Sequence, residues 1–371
     1  MKRLLSLLLA AAVVLGCAAL AAAGGGKEDP LVSLSFLEAT FQKDALGTVR
    51  DMVNASGEAA YEAALNDWRT GLTPSGSAAG AQAGGWRETR LKDGDVIVAP
   101  PGTQVLMLSG SAQLAAGIAV DVTAGAEAAP GGALGTRRRY LAAEGEGARF
   151  TVTSRTAVFD YCGGVTFGRA GFTPDYNAMA YALRSLSLFQ GTDTGYGDGL
   201  DLETAPTRIQ AIIMLIRLLG EESAALACSS PSPFSDIPDS YWGRPYAVYA
   251  YEKGYTNGVE DNKFAPDRPA SAAMYIEFIL RALGYSDTRQ TDISTSAVRA
   301  AAAGVLTAGE RDTLVTRTFL RADVVYLSWY ALQTSLGGGP ITLADYLESG
   351  GVFTEEAFTR ARAGVTTDRI R

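Results

Sequence analysis

The second half of the chain repeats one helical pattern three times, and this repetition constrains the fold more than any other feature. The segments Thr204–Gly220, Ala270–Gly284 and Thr318–Leu332 align when the first is shifted by 64 residues and the second by 49. Apolar residues then recur at i, i+3, i+4 and i+7, on one face of a helix. The aligned sets, apolar except at Ser328, are Ile212, Leu215, Ile216 and Leu219; Ile276, Ile279, Leu280 and Leu283; and Val325, Ser328, Trp329 and Leu332. The sequence therefore predicts an all-α region of repeated units, with periods at or beyond the long end of helical repeats.

Each unit also predicts an earlier helix that ends at a glycine. These helices fall within 181–191, 246–258 and 297–304, and a loop containing Gly or Asn follows the first two. Arg208 and Arg321 open two of the second helices in the same register, whereas the middle unit has no arginine at its second helix start. Each unit is therefore expected to be a helix–loop–helix.

Residues 86–167 have a different period. Short apolar runs such as 96–98, 105–108, 118–122 and 150–152 are separated by glycine-rich turns, which predicts a small β-sandwich or barrel. The stretch from Lys92 to Gln104 resembles a jelly-roll turn of the cupin family, whose metal ligands are mostly histidines. Because this chain has no histidine, we expect a structural or binding module without metal, with a partner that the sequence leaves unknown. The basic run 137–139 is interpreted as a solvated turn in preference to a ligand site.

The N-terminus is predicted to be an export signal over residues 1–23. Lys2 and Arg3 precede an apolar stretch that is too short to span a bilayer, and a small-residue cleavage site follows before Gly24. A second interpretation remains open, because residues 14–17 resemble a lipobox in which Cys17 would carry a lipid. Plain secretion is favoured, and membrane contact is expected only with lipidation. Residues 24–85 are predicted to be a helical segment followed by a linker rich in Gly, Ser and Ala.

Composition excludes several kinds of chemistry. The absence of histidine removes Ser-His-Asp and Cys-His catalysis as well as the commonest zinc ligand. The net charge is −8, or −10 once the leader is removed with its two cations, so nucleic acid is not an expected partner. Three cysteines allow no disulfide-dense scaffold, and Cys162 and Cys228 are left either as a pair or as two free thiols. We expect no metal and no cofactor.

The middle unit carries a motif series that is specific in its order. Phe234-Ser235-Asp236-Ile237 is followed by Tyr241-Trp242, a helix to Gly254, Asn257-Gly258 and Phe264-Ala265-Pro266-Asp267. This series resembles the S-layer homology (SLH) repeat of bacterial surface proteins. Thr207-Arg208-Ile209-Gln210 and Leu320-Arg321-Ala322-Asp323 resemble the family's T-R-A-E motif, whereas Ser271-Ala272-Ala273-Met274 departs from it, and the third unit lacks a clear F-x-D and W.

The resemblance covers residues 173–336 and implies three repeats at about 173–227, 231–287 and 288–336. It implies an α+β multidomain protein, in which a small all-β module at 86–167 precedes an all-α, pseudo-threefold SLH helical bundle at 168–337. Residues 338–371 are expected to be a short helical or frayed C-terminal tail. The family's role is non-catalytic anchoring in the Gram-positive cell wall through secondary cell-wall polysaccharide, which often carries pyruvate ketals. We therefore expect an extracellular protein at the cell wall or surface.

The resemblance also implies polysaccharide-binding residues: Arg208, Arg321, Trp242, Tyr241, Thr207, Gly199, Gly258 and Asp236. An arginine can bind a ketal carboxylate through two hydrogen bonds, and free N–H groups at the helix N-terminus favour an anion. An aromatic ring such as Trp242 can stack on a sugar, and glycines allow close backbone approach. Structural interpretations stand beside these: ion pairing for the arginines, packing for Trp242, and hydrogen-bond acceptance for Asp236.

Three other functions were weighed. The main alternative is an extracellular protein-interaction scaffold whose degenerate SLH repeats are purely structural. A glycosidase or a calcium site could use the carboxylates of one glycine-rich loop, which are Asp193, Asp198, Asp201 and Glu203. Nothing selects a catalytic pair among them, and their spacing does not match an EF-hand. We therefore expect that the protein is not an enzyme.

Overall fold

The computed structural model describes residues 85–143, 145–171, 173–192, 199–286 and 292–371. Contacts group Gly80–Arg371 into one compact unit that contains all of these residues. The predicted leader, Cys17, most of the 24–85 segment, and the loop residues Asp193 and Asp198 lie outside the described residues.

The β region contains ten strands in the described part of the chain. They are β1 (Arg87–Lys92), β2 (Val96–Ala99), β3 (Gln104–Ser109), β4 (Ala112–Gly117), β5 (Ala119–Asp121), β6 (Ala126–Glu127), β7 (Arg138–Ala142), β8 (Ala148–Val152), β9 (Thr156–Cys162) and β10 (Thr166–Gly168). Four of them, β2, β3, β5 and β8, contain the apolar runs from which strands were predicted.

The strands form two antiparallel sheets that face each other. One sheet has the order β1-β9-β3-β7-β5-β6 and the other has β10-β2-β8-β4, so the chain crosses between sheets at most turns, as in a jelly roll. Alternating residues of both sheets point into a shared core that includes Leu91, Ile97, Phe150 and Phe159. The sequence prediction of an all-β region before a helical region is confirmed.

Ten α-helices follow in the described residues. They are α1 (Tyr176–Ser185), α2 (Arg208–Leu218), α3 (Glu222–Leu226), α4 (Arg244–Glu252), α5 (Ala272–Ala282), α6 (Ser296–Ala302), α7 (Ala308–Leu314), α8 (Arg321–Ala331), α9 (Leu343–Ser349) and α10 (Glu355–Ala363). The three segments with repeated spacing become α2, α5 and α8. None of the described helices is long and apolar enough to cross a membrane.

The repeated helices lie at the centre of the helical region. All eleven residues of α8 are buried, and nine of the eleven in α2 are buried. Ser328, the polar exception in the repeated face, is buried on α8, where its hydroxyl lies 2.8 Å from the hydroxyl of Tyr275. Its hydrogen bond explains how a polar side chain occupies an apolar position.

Residues after Gly337 pack against the helical core. Leu347, Phe353 and Ala361 from this part of the chain are buried in it. Cys162 and Cys228 are half-buried thiols and are not joined to each other by a disulfide, which answers the open question of their pairing.

Polar contacts join the β region to the helices. The Arg155 guanidinium, in the turn between β8 and β9, pairs with the buried Asp323 of α8, which also accepts from Arg317 at 2.6 Å. On β1, Arg90 lies 3.4 Å from Glu203, and the Leu91 carbonyl accepts from the Asn177 side chain at 3.2 Å. The two regions therefore meet through buried charges and hydrogen bonds.

Candidate functional site

The start of α2 is fixed by a capping box. The Thr207 hydroxyl accepts from the Gln210 N–H, and the Gln210 side chain accepts from the Thr207 N–H at 3.0 Å. The next two N–H groups, those of Arg208 and Ile209, donate to loop carbonyls of the following unit, at 2.8 and 3.1 Å. The expectation of free N–H groups here is therefore wrong, because the adjacent unit already uses them.

The Arg208 side chain extends from this helix start into the following unit. Its guanidinium donates to the Thr256 hydroxyl at 2.7 Å and to the Gly258 carbonyl at 3.2 Å, and it lies over the rings of Phe264 and Phe278 at 5.1 and 5.2 Å. Arg208 is 4% exposed, and its buried Nε has no acceptor among the described residues. The group therefore retains a hydrogen-bond donor and a positive charge that no salt bridge in the described residues compensates.

The charge around Arg208 is positive on balance. Burial, which is the largest cause, acts together with the neighbouring Arg268 and Arg281 to lower the pKa of Arg208 to about 10, while Asp236 opposes the shift. Arg281 is paired with Glu277 at 3.0 Å, whereas Arg268 is exposed. Arg208 remains a cation at neutral pH, and no salt bridge to a carboxylate is found for it in the described part of the chain.

Two aromatic residues flank this position. Trp242 is 64% exposed, the largest exposed fraction of any large apolar side chain in the described residues. Its ring centroid lies 5.7 Å from that of Tyr241, whose buried hydroxyl has no partner in the described structure. A Cβ added at the next residue, Gly243, would collide with Ile209 of α2. The two aromatic residues therefore lie beside the start of α2. The expected packing role for Trp242 is therefore wrong, since the turn before α4 directs the ring to solvent.

Asp236 and Gly258 shape the loop. The two carboxylate oxygens of Asp236 accept from the Phe264 and Ala265 N–H groups at 2.8 and 2.7 Å. Gly258 has φ +80°, and a Cβ there would lie 2.6 Å from the Lys263 carbonyl oxygen, so only glycine fits. Both residues position the loop beneath Arg208. We call the whole arrangement the Arg208 corner; it comprises Thr207, Arg208, Asp236, Tyr241, Trp242, Gly258, Phe264, Arg268 and Phe278.

Arg321 occupies the matching position at the start of α8 and reaches into the first unit. Its guanidinium donates to the carbonyls of Leu200 and Gln190, both at 3.3 Å, and to the Met214 sulfur at 3.6 Å. It lies 5.5 Å from the Phe189 ring centroid. We call this arrangement the Arg321 corner; it also includes the buried Gly199, which has φ +67°.

The two corners share geometry but differ in charge. Met214 precedes Phe278 by the 64-residue shift, as Leu200 precedes Phe264. Burial lowers the pKa of Arg321 also to about 10, but here the nearby carboxylates of Asp201 and Glu203 oppose the shift. All three guanidinium nitrogens of Arg321 have acceptors. In the Arg321 corner, the protein itself therefore supplies hydrogen-bond acceptors for the arginine.

The structure thus divides the predicted site residues between two places. Thr207, Arg208, Asp236, Tyr241, Trp242 and Gly258 come together, while Arg321 and Gly199 lie in the other corner. Sequence reasoning missed Arg268, which adds exposed positive charge, and it missed Phe278, which supports the guanidinium. The 64-residue register pointed to Phe278, because it aligns this residue with Met214 in the equivalent helix, but it gave no sign of Arg268.

Comparison with known proteins identifies the loop half of the Arg208 corner. Residues 233–271 match the family model of the S-layer homology domain. This stretch is similar to an S-layer homology domain. The SLH match holds Asp236, Tyr241, Trp242 and Gly258, but Arg208 lies before it, on the preceding helix.

Two relatives align with limited parts of the chain. One is a protein named Cell surface protein from Thermoanaerobacter kivui, 37% identical over 114 residues, which are 30% of this chain and 14% of the relative. The other is Cell surface glycoprotein 1 from Acetivibrio thermocellus, 31% identical over 90 residues, which are 24% of this chain and 4% of the relative. Each alignment therefore spans a small fraction of a much longer protein.

Proposed function

We propose that this protein is a non-catalytic anchor at the cell surface, which holds an anionic secondary cell-wall polysaccharide in the Arg208 corner. The matched relatives are named as cell surface proteins, and residues 233–271 match the SLH family model. The proposal includes a pseudo-threefold bundle of three SLH repeats at 173–227, 231–287 and 288–336. The β module at 86–167 is carried with them, and the leader at 1–23 directs export.

The observation that carries the proposal is the uncompensated charge of Arg208. A buried cation without a counter-ion is unfavourable, so an anion beside it gains more than it would at a surface pair. A carboxylate, such as that of a pyruvate ketal, has the charge and the acceptor geometry that a guanidinium prefers. Exposed Arg268 adds positive charge near Arg208.

Trp242 supplies the second half of a saccharide contact. An indole face that is largely exposed can cover the apolar face of a sugar ring while the charged substituent turns toward Arg208. The unpartnered Tyr241 hydroxyl beside it can donate to a sugar oxygen or a carboxylate. We infer that one corner dominates binding, because Arg321 already has protein acceptors and two nearby carboxylates.

A co-sedimentation assay tests the proposal. Mature protein is mixed with purified sacculi that carry the polymer, and the bound fraction is compared for wild type, Arg208→Ala, Arg268→Ala and Trp242→Ala. We expect all three variants to pellet less, while Arg360→Ala, an exposed arginine on α10, pellets like wild type. Circular dichroism confirms that each variant is folded.

The result also decides between the anchor and the interaction scaffold. The satisfied hydrogen bonds of Arg321 favour a structural role for that residue, which is the scaffold's central feature. If folded wild-type protein fails to pellet with polymer-bearing sacculi, the anchor is wrong and the scaffold is favoured. Equal pelleting by Arg321→Ala and wild type, with loss in Arg208→Ala, would support binding at one corner.

A further inference from the structure

The third corner of the helical region lacks an arginine on its helix start, and another part of the chain supplies one. The residue aligned with Arg208 and Arg321 is Ala272, at the start of α5. Across from it, Leu327 of α8 aligns with Met214 and Phe278. We call this place the Ala272 corner; it comprises Ala272, Ile276, Val305, Leu306, Thr307, Glu310, Tyr326, Leu327 and Tyr330. The guanidinium of Arg369 lies in it.

We propose that the Ala272 corner is a peptide-binding groove whose occupant is residues 365–371 of the same chain, with Arg369 as the anchoring side chain. The proposal does not depend on polysaccharide binding elsewhere. It names a class of ligand, an arginine-bearing extended peptide, that differs from the ligand of the Arg208 corner.

Glu310 is the main receptor for the arginine. It is fully buried on α7, and its two carboxylate oxygens accept from Nε and Nη2 of Arg369 at 2.7 and 2.5 Å. The Val305 carbonyl accepts from the same Nη2 at 3.0 Å, and the guanidinium lies 4.6 Å from the Tyr330 ring centroid. A bidentate arginine–carboxylate pair with a ring contact selects arginine over lysine.

The peptide backbone is also recognised. The Ile370 N–H donates to the Tyr326 hydroxyl at 2.8 Å, and the Thr307 hydroxyl donates to the Ile370 carbonyl. Further back, the Tyr330 hydroxyl donates to the Thr367 carbonyl at 3.4 Å. A side chain at Gly309 would collide with the backbone of Arg371. Glycine at this position therefore lets the peptide backbone lie directly against α7.

The groove is built to take a cation. Glu310 keeps further donors of its own, the Tyr326 hydroxyl at 2.7 Å and the Thr307 N–H at 2.8 Å, so its charge is held in place whether or not the peptide is present. A small cavity remains beneath Arg369, lined by aliphatic side chains such as Ile276, Leu306 and Leu327. Burial lowers the pKa of Arg369, but hydrogen bonds and attraction from Glu310 outweigh that effect and raise it.

Peptide complementation tests the proposal. A variant that lacks residues 365–371 is titrated with a fluorescein-labelled peptide of that sequence, and binding is followed by anisotropy. We expect saturable binding. The affinity should be at least about tenfold lower for the Arg369→Ala peptide, and likewise for the truncated chain that carries Glu310→Gln. A peptide with Arg371→Ala is the matched control and should bind like the parent, because Arg371 is largely exposed. The full chain should bind the peptide weakly, since its own segment fills the groove.

The proposal is overturned if the truncated chain folds but shows no saturable binding. It is also overturned if the truncated chain binds the Arg369→Ala peptide as well as the parent peptide. If the truncated chain does not fold, hydrogen exchange of the full chain decides instead. The Ile370 amide should exchange at least about tenfold faster in Arg369→Ala than in wild type, and less than about twofold faster in Arg371→Ala. Equal exchange in the two variants would also overturn it.

Discussion

The Arg208 corner and the Ala272 corner occupy aligned positions on two of the repeated helices, α2 and α5, yet they have opposite charge requirements. In the first, an arginine from the helix start brings positive charge without a carboxylate partner. In the second, alanine stands at that position and a buried carboxylate, Glu310, is neutralised by Arg369 from another segment. Two differences, alanine in place of arginine at the helix start and a buried acid on α7, distinguish a corner suited to anions from one suited to an arginine.

This comparison also separates scaffold from specificity. The shared parts of the corners are the helix starts, the loop backbones and the apolar side chains at the position of Phe278. The parts that differ are the charged groups, which contribute little to the helical pattern. A repeat can therefore keep its fold while its ligand changes class.

The largest expected effect comes from removing the cation of the Ala272 corner. Arg369→Ala leaves Glu310 buried without a counter-ion, and we expect the free energy of unfolding to fall by about 3–5 kcal/mol. Urea unfolding followed by circular dichroism measures the change. Arg371→Ala serves as the control with little effect, and a loss under about 1 kcal/mol for Arg369→Ala would contradict the role given to the pair.

Ala272→Arg should repair part of that loss. An arginine at this position points into the corner as Arg208 does, so in the Arg369→Ala background it can reach Glu310 and recover about 1–2 kcal/mol. A double-mutant cycle on unfolding free energies measures the coupling. If Ala272→Arg destabilises both backgrounds equally, the two corners are not equivalent in geometry.

Low pH should remove a stabilising contribution of the Glu277 carboxylate near the Arg208 corner. Burial alone would raise the pKa of Glu277, but hydrogen bonds from Ser286 and Ser296 and from Arg299 and Arg281 outweigh it and hold the pKa below 4.5. Because the folded state favours the carboxylate, its contribution is present above pH 4.5 and is lost as pH falls through the lower folded pKa.

We therefore expect wild type to be more stable than Glu277→Gln by about 1 kcal/mol at pH 7, with a difference that shrinks as pH falls below about 4.5. Urea midpoints of both proteins at pH 7, 5, 4 and 3 test this expectation. A difference that grew toward low pH would show that the pKa of Glu277 is raised and not lowered.

The smallest effect on stability is expected at Trp242. Its ring is largely exposed, so Trp242→Ala should change the unfolding free energy by no more than about 0.5 kcal/mol. Sacculus binding by the same variant should fall about tenfold, since stacking on the sugar is lost. Tyr346→Ala, another exposed aromatic, is the control for binding. Equal losses in both variants would mean that exposure alone, and not the corner, governs binding.

The sequence was most informative where side-chain spacing decides the structure. The i, i+3, i+4, i+7 pattern predicted α2, α5 and α8, and alternating apolar runs predicted strands of the β region. The sequence did not reveal that the Trp242 ring points to solvent. The turn before α4 sets this direction, and a turn leaves no periodic pattern in the sequence. The contact of Arg369 with Glu310 joins positions far apart in the chain, so local pattern gave no sign of it. One signal was present but unused: Thr307-Ala308-Gly309-Glu310 has the form of a capping box.

The junction around Asp323 has a mechanical consequence. Arg155 from the β region and Arg317 from the helices both bind this one carboxylate, while the Arg90–Glu203 and Asn177–Leu91 contacts lie alongside. Under the proposed anchoring, tension between the β region and the helices would act on these contacts.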